Sequence, residues 1–304
     1  MNTDITTRRR LRTPIAGAVL LALASTSALA DDKAKDTPDT GGKLLLTSGV
    51  SQIEGAAGGG LTPWAVIGGQ GSFGQIGASA FYTRVNVGDY HLDDAGVLIG
   101  INDRVEISFA QQRFNTEKVG GLLGLGDGFT FKQDIVGVKL RVAGDAVLNS
   151  DSKMPQISVG LQYKRNNQAA VLDYIGAKDN SGTDFYVSAT KLFLADGLLL
   201  NGTLRFTKAN QIGILGFGGD KHNGYQPQLE LSAAYLVSRK VAIGAEYRMK
   251  PNNLGIAKED DWFDVFVAYA PTRNVSVTFA YADLGNIVIR DHQRGLYASL
   301  QVGF

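Results

Sequence analysis

The sequence predicts an all-β protein: a transmembrane antiparallel up-and-down β-barrel of about twelve strands, with fourteen as the upper count. Three observations carry the prediction. Segments of about ten residues alternate apolar and polar side chains from Ser72 to Phe304, the period-two signature of strands with one greasy face. Short and long connections alternate between those segments, as they do when tight turns lie at one end of a barrel and long loops at the other. A basic, then apolar, leader opens the chain.

The leader comes first. "TTRRRLR" and the apolar "PIAGAVLLALASTSALA" end on Ala28-Leu29-Ala30, the small-x-small pattern of a cleaved secretory signal. Residues 1–30 are therefore expected to be removed. "DDKAKDTPDTGG", within 31–42, is charged and poor in apolar residues, and reads as a flexible periplasmic tether. The chain has 30 basic and 29 acidic residues; losing four arginines and one aspartate with the leader leaves 26 against 28. That near-neutral balance gives no reason to expect nucleic acid as a partner. Cysteine is absent, which excludes disulfides and thiolate metal sites. After Gly42 no apolar run is long enough for a membrane helix.

Residues 43–71, "KLLLTSGVSQIEGAAGGGLTPWAVIGGQG", are the least regular stretch. "KLLL" and "TPWAVIGG" fit two extra strands around a glycine-rich turn, or the whole piece fits a plug inside the lumen. Residues 72–304 form the predicted barrel. Its strands are clear in "PQISVGLQYKR", "GLLLNGTLRFT", "YQPQLELSAAYLV", "KVAIGAEYRMK", "WFDVFVAYA", "NVSVTFAYAD" and the terminal "GLYASLQVGF", and noisier before Ala143 and from Asp184 to Phe193. Asn102-Asp103, Ala195 to Gly197, Ser238-Arg239 and Pro271 to Asn274 read as tight turns. Arg84 to Asp94, Asn115 to Gly128, Asn166 to Gly182, Lys208 to Gly224, Pro251 to Asp261 and Gly285 to Arg294 read as long external loops. Gly144 to Met154 breaks the rhythm, being long where a short turn is due.

Hydrocarbon offers backbone amides no partner, so a spanning sheet must close on itself, and the last strand must pair with the first. With the apolar parity facing lipid, Tyr163, Phe206, Tyr235, Tyr247, Tyr269, Tyr281 and Phe304 fall near strand ends as interface aromatics. The other parity then puts Arg104, Glu106, Lys139, Arg141, Lys164, Arg205, Glu230, Glu246, Arg248 and Asp264 in the lumen. These ten are the candidate pore lining. Six bases against four acids lean weakly toward anions. They read either as a salt-bridged network that stiffens the barrel or as a charged path that selects solutes. Two apolar glycine loops, Gly120 to Phe129 and Gly213 to Asp220, lack the strand–GxGxxG–helix context of a nucleotide site. Each either folds into the lumen or lies as a loop tip at the surface.

The N-terminal stretch, with "GVLIGINDRVEISFAQQRF", "GFTFKQDIVGVKLRVAGDAV" and "PQISVGLQYKRN", resembles a family of proteobacterial outer-membrane proteins of unknown function. The resemblance covers nearly all of the mature chain. It implies secretion and a barrel, and transfers no activity and no functional residue. The aromatic C-terminal strand resembles the signal read by the outer-membrane assembly machinery.

The expected location is thus the bacterial outer membrane. The expected partners are its lipid, the assembly machinery and an unidentified solute. The three histidines, His91, His222 and His292, fall in predicted loops with no nucleophile in reach, so no catalytic residue, metal or cofactor is assigned. The first function expected is a passive channel or transporter for a small or hydrophobic solute. The alternative is a non-conducting structural or adhesion-type barrel acting through its loops. A hydrolase with a rim site, in which His91 and His292 would converge with aspartates, comes third.

Overall fold

The computed structural model describes residues 42–147 and 152–304. The leader and nearly all of the tether expected from the sequence lie outside them. Twelve antiparallel strands close into one barrel. In chain order, after two short strands introduced below, they are β3 (Ile76–Val87), β4 (Tyr90–Ile101), β5 (Val105–Asn115), β6 (Thr130–Ala143), β7 (Gln156–Asn166) and β8 (Ser181–Phe193). Then follow β9 (Leu198–Thr207), β10 (Gln226–Ser238), β11 (Val241–Arg248), β12 (Trp262–Tyr269), β13 (Val275–Asp283) and β14 (Arg294–Gly303). Each pairs with its sequence neighbours. Closure comes from β14 on β3, running from Gly295↔Val87 to Gly303↔Ser79. Beyond that ladder, Phe304 N–H donates to Ala78 O at 2.7 Å, and Phe304 O accepts from the N–H groups of Gln70 and Ala78. The alternating terminal decapeptide is held to its last residue.

The alternation sorts the two faces as the sequence implies. Leu204, Leu229, Leu231, Val265, Val267, Phe279 and Leu300 stand exposed on the outside, whereas Glu106, Lys139, Lys164, Arg205 and Glu230 on the other parity are buried within. The interface aromatics form two sets. Tyr235, Tyr269 and Phe304 lie at the end that carries the short turns. Tyr163, Phe206, Tyr247 and Tyr281 lie at the end that carries the long loops. All but the half-exposed Tyr247 are exposed.

Two expectations are corrected. The predicted long loop from Arg84 to Asp94 is a hairpin: β3 and β4 pair through to Val87↔Tyr90, leaving only Gly88-Asp89 as the turn. The charges that suggested a loop are an outward pair, Arg84 Nη1 to Asp93 Oδ1 at 2.8 Å, with Tyr82 Oη also donating to Asp93. His91 therefore belongs to β4 and not to a loop. The expected count of about twelve strands holds; the second correction concerns the reading of residues 43–71 as two extra strands. The N-terminal stretch adds nothing to the barrel wall. Among the described residues it contributes β1 (Val50–Ser51) and β2 (Ala57–Gly58), which pair with each other and not with the barrel strands.

Small residues on the inner face make room for large ones. A Cβ on Gly160 would fall 2.2 Å from the Tyr186 ring, and the Arg205 guanidinium lies over that ring, 5.3 Å from its centroid. Gly160→Ala is expected to destabilise the barrel by roughly 1–3 kcal/mol, the usual cost of overpacking. It should lower the temperature at which folded protein converts to the unfolded gel band; an unchanged temperature would show that the ring has room to move.

Candidate functional site

The candidate site is the barrel interior, and the chain itself fills it. Residues 47–69 are buried without interruption. This segment enters from the turn end, where Lys43 Nζ binds Asp103 Oδ1 at 2.8 Å and Ile67 O at 2.5 Å. Its backbone has little ladder of its own, so its polar groups need other partners. The inner wall supplies them. Glu106 accepts from Ala57 N–H at 3.1 Å and Gly68 N–H at 2.8 Å. Lys139 donates to Ala57 O and Val66 O, and sits 3.0 Å from Glu106. Glu246 accepts from Leu61 N–H at 2.7 Å and from Thr62 Oγ1 at 2.5 Å. Trp64 Nε1 donates to Ser232 Oγ at 3.0 Å. Thr190 Oγ1 accepts from Ala65 N–H, and Ser158 Oγ donates to Ala65 O. Gly59 is needed at the closest approach, since a Cβ there would lie 2.3 Å from Glu246 Oε1.

The tip of the segment is Glu54. It meets a belt of charges in which five consecutive strands each contribute one residue of alternating sign: Lys164 on β7, Asp184 on β8, Arg205 on β9, Glu230 on β10 and Arg248 on β11. Lys164 Nζ pairs with Glu54 and, at 2.5 Å, with Asp184. Arg205 reaches Glu54 at 3.3 Å, Asp184 at 3.4 Å and Glu230 at 2.5 Å. Arg248 reaches Glu54 at 3.0 Å and Glu230 at 3.4 Å. The wall alone offers three cations and two anions; Glu54 supplies the third anion. Every member is at most 3% exposed, and charges removed from water this far must be matched.

The other end is closed by the loop between β9 and β10. Ile212, Ile214, Leu215 and Phe217 are buried, so the glycine loop Gly213 to Asp220 turns inward at its start, whereas Leu122 in Gly120 to Phe129 is 65% exposed. The inserted tip bears backbone strain. Gln211 and Ile212 have φ of 44° and 58°, a region costing of order 1–3 kcal/mol per residue outside glycine. Polar contacts hold it there. Gln133 and Lys164 donate to Ile212 O, and Asn166 donates to Ile214 O at 2.8 Å. Glu259 accepts from Gln211 N–H, and Lys250 donates to Gln211 Oε1. Lys250 and Glu259 pair at 3.0 Å in the β11–β12 connection. Burial pushes the Glu259 carboxyl up and the Lys250 ammonium down, and their attraction opposes both. Lys164 is thus the junction of wall, interior segment and inserted loop.

Of the ten residues picked out in sequence, Glu106, Lys139, Lys164, Arg205, Glu230, Glu246, Arg248 and Asp264 are buried inside. Arg104 is not: it is exposed in the β4–β5 turn. Arg141 is half-buried at the same rim, paired with Asp103 and Asp145. Both line a cavity of about 720 Å³ at the turn end, beside Lys43 and Ile67. Their parity is right, but they sit at the turn-end rim, Arg104 between β4 and β5 and Arg141 near the end of β6. Sequence reasoning missed Asp94, Asp184 and Glu54. The first two sit in noisy segments whose parity is legible only once β4 and β8 are placed. With them the buried charges on the inward parity of the wall become Lys139, Lys164, Arg205 and Arg248 against Asp94, Glu106, Asp184, Glu230, Glu246 and Asp264, which reverses the weak anion preference. Among the described residues, the two carboxylate oxygens of Asp94 and Oδ1 of Asp264 meet no hydrogen-bond donor. At the rim, His91 Nδ1 lies 2.5 Å from Glu117 and Nε2 3.8 Å from Asp93, while His292 N–H donates to Asn286. Among the described residues no cluster of three or more His, Cys, Asp or Glu is arranged to hold a metal.

A family model described as "Protein of unknown function (DUF3034)" matches residues 47–301, and the chain belongs to that family. The match bears out the resemblance read from the sequence. No curated protein matches the sequence. Among solved structures the chain is similar to the KdgM porin in complex with disordered oligogalacturonate (13% identity, TM-score 0.47, covering 74% of this chain and 99% of that one). It is also similar to an outer membrane channel from Pseudomonas putida F1 (10%, 0.45, 77% and 96%) and to outer membrane phospholipase A from Escherichia coli (9%, 0.42, 74% and 92%).

Removing Glu54 leaves Lys164, Arg205 and Arg248 short of one anion, a defect of about 3–5 kcal/mol where a buried partner is lost. The chain has no cysteine, so Leu61→Cys is a clean reporter for a residue now 1% exposed. With Glu54 intact, Cys at this position should resist a water-soluble maleimide; adding Glu54→Ala should raise the labelling rate at least about tenfold, the equivalent of ~1.4 kcal/mol. Equal rates would mean that Glu54 does not hold the segment.

Proposed function

We propose that this member of the DUF3034 family is an integral protein of the bacterial outer membrane that is closed at rest and passes a small or hydrophobic solute when its interior segment yields. The outer face supports the location. It is an apolar wall between two sets of aromatic residues, the surface a barrel presents to lipid and its interfaces. Under this reading the barrel contacts lipid along that wall, and the strand ending in Phe304 is the one the assembly machinery would engage.

The observation that carries the passage reading is how the lumen is filled. Residues 47–69 are held by side chains of the wall, and their backbone is not part of the barrel ladder. Withdrawing the segment breaks no strand pairing. It exchanges hydrogen bonds with the wall for hydrogen bonds with water, a trade worth about 0.5–1.5 kcal/mol per neutral bond and about 1.5–3 kcal/mol per bond to a charged group, and it also draws Glu54 out of its ion pairs. The wall left behind is polar and charged, suited to water. A second reading is a non-conducting barrel that acts through its loops. The matched charges around Glu54 favour it, because a filled and neutralised lumen needs no opening to be stable.

Planar-bilayer recording of the purified full chain separates the two. The passage reading expects a mostly closed wild type with brief openings, and an open probability at least about tenfold higher in Glu54→Gln, since a ~1.4 kcal/mol loss from the closed state gives that factor. Silence from both proteins, with no solute entering liposomes, would favour the non-conducting reading. Openings in Glu54→Gln should prefer cations, reflecting the acidic excess on the wall.

A further inference from the structure

The inner wall changes character at one level near the loop end. On four strands the step is the same. Val85 gives way to Thr83 on β3, Leu92 to Asp94 on β4, Phe114 to Gln112 on β5, and Trp262 to Asp264 on β12, each two residues deeper on the inward parity. The apolar member of each pair is buried at 4–8% exposure. Leu284, from the β13–β14 connection, joins them. Above the polar lumen there is therefore an apolar vestibule, and Ile214 and Leu215 of the inserted loop occupy it, next to the buried Ile212. An apolar crevice of about 30 Å³ remains between that tip and the wall.

We infer that this vestibule is a binding site for a small uncharged hydrocarbon, aromatic or aliphatic, and that the loop tip Ile212 to Leu215 stands in for the ligand at rest. The inference deepens the passage reading above by naming the class of solute, and it rests on that reading only for what happens after binding. The wall fits the class. No charged side chain lines the crevice, and the polar groups at its edge are His91 and Gln211. Trp262 and Phe114 supply aromatic surface; Phe114 stacks on Tyr90 with centroids 5.1 Å apart, and the Trp262 ring also carries Lys250 Nζ at 4.8 Å. The crevice is too small for such a molecule with the tip in place, so the ligand must displace the tip. The tip is suited to leave, because its turn at Gln211 and Ile212 is strained and its polar holds are made at the edge of the vestibule and below it. Displacing it exchanges one apolar occupant for another, and it also takes the Ile212 carbonyl from Lys164 and the Gln211 groups from Glu259 and Lys250.

The chain has two tryptophans, so Trp64→Phe leaves Trp262 as a single reporter on the vestibule wall. The full chain in lipid discs would be titrated with 1-bromonaphthalene, a heavy-atom quencher of the proposed class. Probe dissolved in lipid gives a linear background in every sample. The inference predicts an added saturable component. It should be at least tenfold weaker when the tip is tied down by a short bismaleimide joining Gln211→Cys to Asn286→Cys, two residues linked by a 2.9 Å hydrogen bond. If that pair fails to fold, Val87→Trp, which fills the crevice from the wall, should weaken the component in the same way when the titration reads displacement of a fluorescent naphthalene instead. Purely linear quenching, or a saturable component unaffected by both the tie and the filled crevice, would overturn the site. Saturable binding without solute flux into liposomes would keep the site and overturn the passage reading; flux with only linear quenching would do the reverse.

Discussion

The structure depends on charges that cannot be left alone out of water. The belt on β7 to β11 sets three cations against two anions, facing inward where hydration is lost. A barrel interior can meet that constraint by holding water or by bringing in the missing charge. This chain brings it in on Glu54, at the tip of a segment that the wall then satisfies amide by amide. Lys139 and Glu106 repeat the arrangement on a smaller scale nearer the turn end. Buried ion pairs of this kind add little net stability over apolar packing of the same volume. What they give is one seating for a segment that has almost no secondary structure of its own.

The same constraint orders the barrel along its length. At the turn end the segment enters beside Lys43 and Asp103, with Arg104 and Arg141 around a cavity of about 720 Å³. In the middle lie the charges and the hydrogen-bonded backbone. At the loop end the wall turns apolar, and a second piece of chain fills it with aliphatic side chains on a strained turn. Lys164 touches wall, segment and loop together. Disturbing either filler therefore changes the surroundings of the other, and a ligand arriving at the loop end has a physical route to the segment below: moving the tip removes the Ile212 carbonyl from Lys164, which is also bound to Glu54.

Much of the barrel was legible because its physics is local. Period two at Leu229 to Val237 or Val275 to Tyr281 needs no knowledge of the rest of the chain, and the girdle aromatics follow from the same count. Eight of the ten lumen charges came from parity alone. Arg104 and Arg141 escaped because parity says which way a side chain points and not where the wall stops. The hairpin at Gly88-Asp89 was hidden by an outward Arg84–Asp93 pair that made a strand look like a loop. The interior segment was hidden for a deeper reason. Its partners are far away in sequence, Arg248 for Glu54 and Ser232 for Trp64, and an irregular glycine-rich run shows no period that would announce them. The apolar vestibule was missed because Val85, Leu92, Phe114 and Trp262 lie on the face that is polar elsewhere, a reversal visible only once four strands are aligned.

Amide hydrogen exchange of the full chain in lipid discs, read by mass spectrometry, tests the central claim most directly. If Glu54 and its partners seat residues 47–69 in the lumen, the amides of Ile53, Ala57, Leu61, Trp64 and Ala65 exchange as slowly as those of the barrel strands around them. If those amides exchange as fast as the exposed loop around Leu122 while the barrel stays protected, the lumen is not filled by this segment, and the account of how the protein is closed is wrong.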